Sequence, residues 1–533
     1  MLARSQVCSA ILPLAAGLAT LASSPEVARA DDAGPVEPGP DPEETRLDLG
    51  EPGFYLALDG SLRSVRLDYA YQLADRDPVH WLSLGEEGLW LLAGVAWYGL
   101  DRERNLADWD LPSWKERFTL EAWRFDNNHF PINFMGHVLS GAAYYAVPRA
   151  NDHSLPVATA YAFMTSFVWE FFIEFREKVS VNDLILTLGA GMSIGEFAHR
   201  TWRYFAGLPP DASTGRHVLS GFLAPPIYLR RAIDGTPQSR PGPYDALGFS
   251  NETKLHVSGG YRATVHDYGE AHTTHGFWFE GRASSVPGEG LPGSFLLFFY
   301  DADRAALEVT GAVGEQSRHW ELRAKTQLLG LYGQVLDRGG DGLWGTAAWT
   351  LAYRYRFQDF PGFNDRLGIL HLPGLEAELH QRRSGIGYGL RARLNGDFAG
   401  LHSAAYGRWK ELGLAEGEVE KTVLRKHNYY YAWGGSGRLE AQLDLGPLTL
   451  AGGAALGLYD SQEGLDRSQE ALTIDSDLRD RVIDLDLSLG LRVPDTPVVL
   501  RGTYGSTARR SRLDAIVVDR RIQSWALSVG AGF

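Results

Sequence analysis

The sequence has 533 residues, of which 61 are glycine and 12% are aromatic. Its length exceeds that of one ordinary domain, and its net charge of −15 argues against a nucleic-acid partner. The only cysteine, Cys8, lies in the N-terminal leader, so the sequence predicts an exported chain without disulfides or thiol chemistry.

The first thirty residues predict a secretory signal peptide. Arg4 supplies the positive end, residues 7–23 are apolar, and the small residues Ala28 and Ala30 mark a cleavage site. Residues 31–50 are acidic and proline-rich, and they predict a disordered linker because they can bury little apolar surface.

Residues 51–206 predict a helical domain. Apolar periodicity predicts a helix that Pro148 ends, and a last helix with Ser180 as its N-cap. The predicted helices cover residues 86–100, 132–147, 157–178 and 180–204. Because charged residues interrupt the apolar runs, we expect a compact domain in the periplasm or at the rim of a barrel; a membrane-embedded domain is the alternative.

A proline-rich connector, residues 207–245, precedes a segment with a period of two that runs from residue 246 to 533. In a typical stretch, Leu485 and Leu487 alternate with Asp484 and Asp486. Strands of about ten residues with one apolar and one polar face predict an antiparallel transmembrane β-barrel of about twelve strands. The predicted fold class is therefore an α + β membrane protein, with a helical domain followed by this barrel.

The predicted location is the outer membrane of a Gram-negative bacterium. The last strand ends on an aromatic residue, Phe533, which resembles the C-terminal signature that barrel assembly machinery recognises. We therefore expect this machinery and outer-membrane lipid as partners, and no nucleic acid. Basic residues on the predicted inner face would either favour anions in the lumen or form ion pairs with acidic residues there. The basic residues are Arg323, Lys325, Arg354, Arg356, Arg391 and Arg393, and the acidic residues are Glu376, Glu378, Asp484 and Asp486.

A polar constellation in the helical domain is the candidate functional site. Glu170 and Glu174 are four residues apart, so an α-helix would place them on one face, where like charges need a metal ion, an arginine or a shared proton between them. We expect His137 on the preceding helix to face them. Glycines at positions 141, 189, 191 and 195 would let the helices approach closely.

Three interpretations of this constellation stay open. It is a hydrogen-bonded network that fixes the helices, a divalent-metal site, or a hydrolytic site in which His137 is the base and a glutamate orients it. The catalytic candidates are His137, Glu170 and Glu174; the metal candidates are these three and Asp183. Asp126, Asn128 and Asn182 are expected around the site, and Glu196 as a surface partner of Arg200.

The combination Trp123-x-Phe-Asp-Asn-Asn128, His137, Trp169-Glu170-x3-Glu174, Ser180-x-Asn182-Asp183 and Gly195-Glu196 resembles a family of exported bacterial proteins. It is a domain-of-unknown-function family, and the resemblance covers about residues 60–235. It implies an outer-membrane setting and no established activity.

The leading hypothesis for function is a helical domain that caps or plugs the barrel in the cell envelope. The first alternative is an envelope lipid-modifying hydrolase, and the second is an anion-favouring pore. The sequence leaves open whether the chain is an enzyme, and the cofactor is unknown unless a divalent metal binds.

Overall fold

A computed structural model gives the fold. It describes the following residues: 53–56, 62–65, 78–100, 111–126, 128–206, 214–234, 254–267, 269, 271–286, 289–290, 293–412, 423–461 and 478–532. The predicted signal peptide, the linker and Phe533 lie outside these residues.

The helical region carries seven α-helices among its described residues. They are α1 (His80–Leu100), α2 (Trp114–Phe118), α3 (His137–Ala150), α4 (Leu155–Val168), α5 (Val181–Ala206), α6 (Thr214–Leu223) and α7 (Pro225–Asp234). Short strand pairs accompany them: β1 (Gly53–Leu56) with β2 (Leu62–Val65), and β3 (Trp123–Arg124) with β4 (Val179–Ser180).

Local chemistry explains several of these helix ends. A capping box begins α2, because the Ser113 hydroxyl and the Glu116 carboxylate satisfy each other's backbone N–H groups. The Ser180 hydroxyl accepts the N–H of Asp183, 3.3 Å away, at the start of α5. The expectation that Pro148 ends its helix is wrong: α3 continues to Ala150, because the cost of a proline was offset by packing in a buried last turn.

The C-terminal half is a closed antiparallel barrel of twelve strands, as predicted. Its strands are β5 (Lys254–His266), β6 (Ala271–Ser284), β7 (Gly293–Phe299) with β8 (Arg304–Val313), β9 (Arg318–Leu336), β10 (Gly342–Phe360), β11 (Phe363–Arg383), β12 (Ile386–His402), β13 (Tyr429–Leu445), β14 (Leu448–Ser461), β15 (Leu478–Arg492), β16 (Val498–Leu513) and β17 (Ile516–Gly532). Strands that follow each other in the chain are paired, except that β6 pairs with β8 and β7 pairs with β9. The pairing of β17 with β5 closes the barrel.

One strand of the wall is interrupted. Strands β7 and β8 pair with successive parts of β9, and residues 300–303 lie between them. Most strands are longer than the ten residues expected, and β11 has 21. Long strands fit a tilted barrel whose ends project beyond the apolar band.

The inner and outer faces of the wall have opposite chemistry. Charged side chains meet across the interior; for example, Lys325 lies 2.7 Å from Glu376 and Arg391 lies 2.9 Å from Glu378. Leu439 and Leu487 point outwards and are more than half exposed. Apolar outside and charged inside is the arrangement of a transmembrane barrel, and the predicted ion pairs line its interior.

The two ends of the barrel differ in their connections. Short turns close one end, such as residues 446–447 between β13 and β14. The opposite end carries the connection from residue 403 to 428, which includes α8 (Ala404–Glu411) and α9 (Val423–His427). We refer to these as the short-turn end and the long-loop end. In bacterial barrels the longer loops are on the extracellular side.

The helical domain packs against the outer wall. Tyr353, Leu370 and Phe398 occupy outward positions between lumen-facing neighbours, yet each is buried in a cluster with residues of α3 and α5. A methyl group on Gly189 of α5 would lie 2.6 Å from Leu370. These helices therefore cover part of the outer surface, which is a different place from the lumen that a plug would occupy.

Candidate metal centre

Two π-helical turns shape the site. Residues Ile132–Gly136 form one directly before His137, and residues Trp169–Ile173 form the other around Glu170. In the second turn, the N–H of Glu174 donates to the carbonyl of Trp169 at 3.0 Å. A π turn contains more residues than an α turn, so Glu170 and Glu174 do not stack as α-helical spacing predicts.

Three possible metal ligands converge from three different helical segments. His137 begins α3, Glu170 lies in the second π turn and Asp183 lies in the first turn of α5. One ligand atom from each lies within 4.8 Å of the other two. Bonds of about 2.0–2.2 Å to a metal place ligands up to about 4.4 Å apart, so a side-chain movement of about 0.4 Å would close the set.

The Glu170 carboxylate is buried in a way that favours a cation beside it. Its side chain is fully buried, and neither oxygen meets a hydrogen-bond donor among the residues that the structure describes. His137 Nδ1 lies 3.9 Å from one of these oxygens, which is too far for a hydrogen bond. A buried carboxylate without donors is costly unless a cation balances it or it binds a proton.

Asp183 is held in place by a chain of hydrogen bonds. The Asn182 amide donates to Asp183 Oδ1 at 2.8 Å, and the Asn182 oxygen accepts the backbone N–H of Asp126 at 2.6 Å. The other carboxylate oxygen, Oδ2, lies 3.6 Å from His137 Nε2. Hydrogen bonds of this kind orient a metal ligand and leave its second oxygen available.

Further carboxylates surround these three residues. Electrostatic interactions link Glu170 to Asp126, Glu174, Glu177 and Asp183. Burial, and then the charge of Asp126, raises the pKa of Glu177 to about 7, although Tyr98 donates a hydrogen bond to it. Burial, and then Glu177, raises the pKa of Glu174 well above its usual range. The site therefore gathers acidic side chains in a place that water solvates poorly, where each favours its neutral form unless a cation lies beside it.

Two buried arginines lie near these five carboxyl groups. Arg117 is buried, and its guanidinium donates to backbone carbonyls, including Phe171 at 2.7 Å and Glu174 at 2.8 Å. It thus satisfies the end of the π turn. Arg124 is also buried, and its charge acts on Glu177 and Asp183. Five carboxylates and two arginines favour a bound cation.

The structure brings together part of the predicted set. His137, Glu170 and Asp183 converge, whereas Glu174 Oε1 accepts the Trp169 indole N–H at 2.8 Å. Asn128 contributes its backbone carbonyl, which accepts a hydrogen bond from Tyr429 at 2.6 Å.

Glycines bring the site helices into close contact. A methyl group on Gly141 of α3 would lie 1.9 Å from the Thr187 carbonyl of α5, and one on Gly191 would lie 2.5 Å from Gly141. Such contact is open only to glycine. Gly195 also meets α3, at Ala142, whereas Gly189 meets the barrel. The expected close approach thus joins α3 to α5 and α5 to the outer wall.

A tyrosine pair connects the site to the barrel. Asn133, in the first π turn, donates to the hydroxyls of Tyr429 and Tyr431 at 3.1 and 2.7 Å. Tyr431 in turn donates to the carbonyl of Asp126 at 2.8 Å. Both tyrosines are buried outward-facing residues of β13. The barrel wall therefore supports the loop that precedes the site.

The expectation that Glu196 is a surface residue is wrong. Glu196 is fully buried, because α5 lies between α3 and the barrel. It does pair with Arg200, at 2.9 Å, and it also accepts hydrogen bonds from Tyr145 and Arg149. Arg149 also forms an ion pair at 3.0 Å with Asp301, which lies in the interruption between β7 and β8. These residues form an ionic joint between helices and barrel.

The sequence reasoning missed Arg117, Asn133, Arg149 and the two tyrosines. Arginines within aromatic stretches were a usable signal, because a buried guanidinium needs several acceptors. Tyr429 to Tyr431 form a visible run, but the alternation of a barrel strand gives no sign that a helical domain covers it.

The lumen contains a charged cavity of about 2160 Å³. Towards the long-loop end, an apolar cluster fills the interior, with Tyr406 of α8 against inward-facing residues such as Leu401, Tyr430 and Tyr459. The arginines predicted to favour anions are paired with acidic residues in several places, including Arg354 with Glu321 at 2.9 Å. The apolar cluster and the ion pairs together narrow the passage through the lumen that an open pore requires.

Residues 122–226 match a family described as a domain of unknown function (DUF3943). The match confirms the resemblance predicted from the motifs. It includes all three converging residues of the site and ends in α7. No curated protein matches the chain.

The solved structures similar to this chain are barrels of low sequence identity. An anion-selective porin from Comamonas acidovorans is 8% identical, with a TM-score of 0.20, and the match covers 52% of this chain and 98% of the porin. Omp33 of Acinetobacter baumannii is 11% identical, with a TM-score of 0.17 and coverage of 53% and 99%. The β domain of the Bordetella autotransporter BrkA is 11% identical, with a TM-score of 0.21 and coverage of 53% and 100%.

Proposed function

We propose that this protein is an outer-membrane metalloprotein, in which a barrel carries a helical domain that binds one divalent cation through His137, Glu170 and Asp183. The fully buried Glu170 carboxylate, which meets no hydrogen-bond donor among the described residues, is the observation that carries the proposal. One imidazole and two carboxylates form a nitrogen and oxygen donor set, which suits Zn²⁺, Mn²⁺ or Fe²⁺ better than Cu⁺.

Equilibrium dialysis tests this proposal. The full chain, folded in detergent and stripped with a chelator, is dialysed against Zn²⁺ or Mn²⁺, and the bound metal is measured by mass spectrometry. We expect one ion per wild-type chain and a loss of at least about 10-fold in affinity for Glu170→Gln. The exposed Glu121→Gln is the matched control and should bind as the wild type does.

Two outcomes would overturn the metal assignment. Either the wild type binds no stoichiometric metal, or Glu170→Gln binds it as tightly as the wild type. Heat-dependent migration in gel electrophoresis, a property of folded outer-membrane barrels, shows that each variant is folded. Circular dichroism of the same samples reports on the helices.

A hydrolytic role on an envelope lipid is the second candidate, and one observation favours it. The side chain of His137 is 15% exposed, whereas those of Glu170 and Asp183 are 0% and 2% exposed. Three protein ligands with one open direction are typical of catalytic metal sites, where the metal activates a bound water. In this hydrolytic role His137 binds the metal. It could not also act as the general base, because its ring nitrogen would then have to release the metal in order to take up a proton.

Lipid analysis separates these candidates. Outer-membrane lipids are compared by mass spectrometry between the intact strain, a deletion strain and a strain carrying Glu170→Gln. If deletion and variant change the same lipid species while the variant protein accumulates normally, the site is hydrolytic. If all three strains have the same lipids, the hydrolytic candidate fails and metal binding alone stands.

A further inference from the structure

The helices expose a large apolar surface on the side away from the barrel. On α1, Leu84, Leu89 and Leu92 are each more than 60% exposed. On α4 and its π turn, Phe163 and Phe172 are 42% and 49% exposed. Soluble proteins rarely expose contiguous apolar patches larger than a few hundred Å², so this surface needs a partner.

The contacts of the helical domain place it beside the barrel wall. Near the long-loop end the domain contacts β13 through Asn133, and near the interruption in the wall Arg200 donates to the carbonyl of Ala302. Between these contacts, the Ser193 carbonyl accepts a hydrogen bond from Thr326 of β9. Helix α5 also crosses five successive strands of the wall, from β11 to β6, so the domain lies against the side of the barrel.

The outer wall on which the domain rests is itself a lipid-facing surface. Leucines outside the footprint of the domain are exposed, such as Leu439 at 62%, Leu487 at 56% and Leu527 at 73%. A body that lies along this wall shares the environment of those leucines. The exposed apolar side chains of the helices and these leucines both lie outside the barrel wall.

The length and polarity of α4 agree with this position. Among the described residues, one helical segment, Leu155–Ile173, is long and apolar enough to cross a membrane, with a mean hydropathy of 1.2. Its 19 residues correspond to about 28 Å, close to the thickness of the apolar core. The charged groups that argued against immersion, His137 and Glu170, point into the domain rather than towards this outer face.

We propose that the helical domain lies within the outer membrane beside the barrel, with the outer faces of α1 and α4 in contact with lipid acyl chains. It takes the membrane-embedded alternative of the sequence analysis in place of the expected periplasmic or rim position. The proposal is independent of the metal site. It explains how a domain with exposed leucines and phenylalanines is kept from aggregating, because acyl chains replace water on that face.

Spin-label accessibility tests this placement. Cys8 is the only cysteine in the sequence, so replacing it leaves a cysteine-free background for single labels in the full chain, reconstituted in phosphatidylcholine vesicles. Labels are placed at Leu89→Cys and Phe163→Cys on the helices. Leu487→Cys is the lipid-facing control, and Arg510→Cys, at a highly exposed position, is the water-facing control. Electron paramagnetic resonance measures collisions with oxygen, which enters lipid, and with a water-soluble nickel complex.

We expect the labels at positions 89 and 163 to behave as the label at position 487 does, with strong oxygen collisions and a loss of nickel collisions. Nickel collisions at the level of position 510 would overturn the proposal, because the helices would then face water. Exclusion of both reagents would overturn it as well, because a second copy of the chain would then cover the face. Heat-dependent gel migration confirms that each labelled chain is folded.

Discussion

Replacing Gly141 by alanine should disrupt the metal site from a distance. The added methyl carbon would lie 1.9 Å from the Thr187 carbonyl oxygen and 2.8 Å from Thr187 Cα. A carbon and an oxygen approach each other to about 3.3 Å at closest, so α3 and α5 must separate by about 1.4 Å. All the atoms in the way belong to backbone, which cannot rotate aside.

The separation acts on the site because His137 and Asp183 lie one turn before Gly141 and Thr187. The distance from His137 Nε2 to Asp183 Oδ2 is 3.6 Å, and it would increase to about 5.0 Å. That exceeds the roughly 4.4 Å that two ligands of one metal can span. We expect a loss of about 1–3 kcal/mol in the free energy of unfolding and a metal affinity about 10–100-fold weaker.

Isothermal titration calorimetry with Zn²⁺ and chemical denaturation measure these two effects. The control is Gly88→Ala in α1, because a methyl group there has no atom within 4 Å. It should leave metal binding unchanged and should stabilise its helix slightly, since alanine favours helix over glycine. If Gly141→Ala behaves as Gly88→Ala does in both measurements, the close packing of α3 on α5 is not what positions the ligands.

Other contacts give three further predictions. Arg149→Met should destabilise the joint by about 3 kcal/mol, because it removes a hydrogen-bonded partner of the buried Glu196, and proteolysis should then cut the helices while the barrel stays intact. Tyr431→Phe should lower the free energy of unfolding by about 1–3 kcal/mol in urea, with the exposed Tyr388→Phe as the neutral control. The wild type should conduct no ions in planar bilayers, and deletion of residues 403–428 should produce conductance, since it removes α8 from the lumen; conductance by the wild type would revive the pore hypothesis.

The barrel was predictable because its physics is periodic in sequence. A wall between lipid and a charged interior alternates residue by residue, as at Asp484, Leu485, Asp486 and Leu487, and the number of such runs gives the strand count. The interruption between β7 and β8 was not visible, because it depends on Arg149 and Arg200, which are distant in sequence.

The placement of the helical domain was not predictable for a related reason. Phe398 and Tyr431 have the outward positions and apolar character of lipid-facing residues, yet helices cover them. An outward apolar side chain can face either lipid or a covering helix, so periodicity cannot distinguish these two environments. Only the hydroxyl of Tyr431, which needs a partner when buried, differs from a purely lipid-facing group.

Within the site, residue types were predictable and their arrangement was only partly so. His137, Glu170 and Asp183 stood out because charged groups in apolar helices need partners. The role of Glu174 depended on assuming α-helical spacing. The π turn at Trp169–Ile173 breaks that spacing and directs Glu174 towards the Trp169 indole. Sequence periodicity has no marker for a single π turn.

Thermal unfolding of the wild type and Glu170→Gln, each with and without metal, tests the metal assignment most directly. Without metal, Glu170→Gln should be the more stable protein, because a neutral amide needs neither a cation nor a bound proton when it is buried. With Zn²⁺ at about 100 times its dissociation constant, the wild type should gain about 2.7 kcal/mol, and the variant should gain much less. If metal stabilises neither protein, or both equally, the buried carboxylate is not a metal ligand and the cluster is a purely structural network.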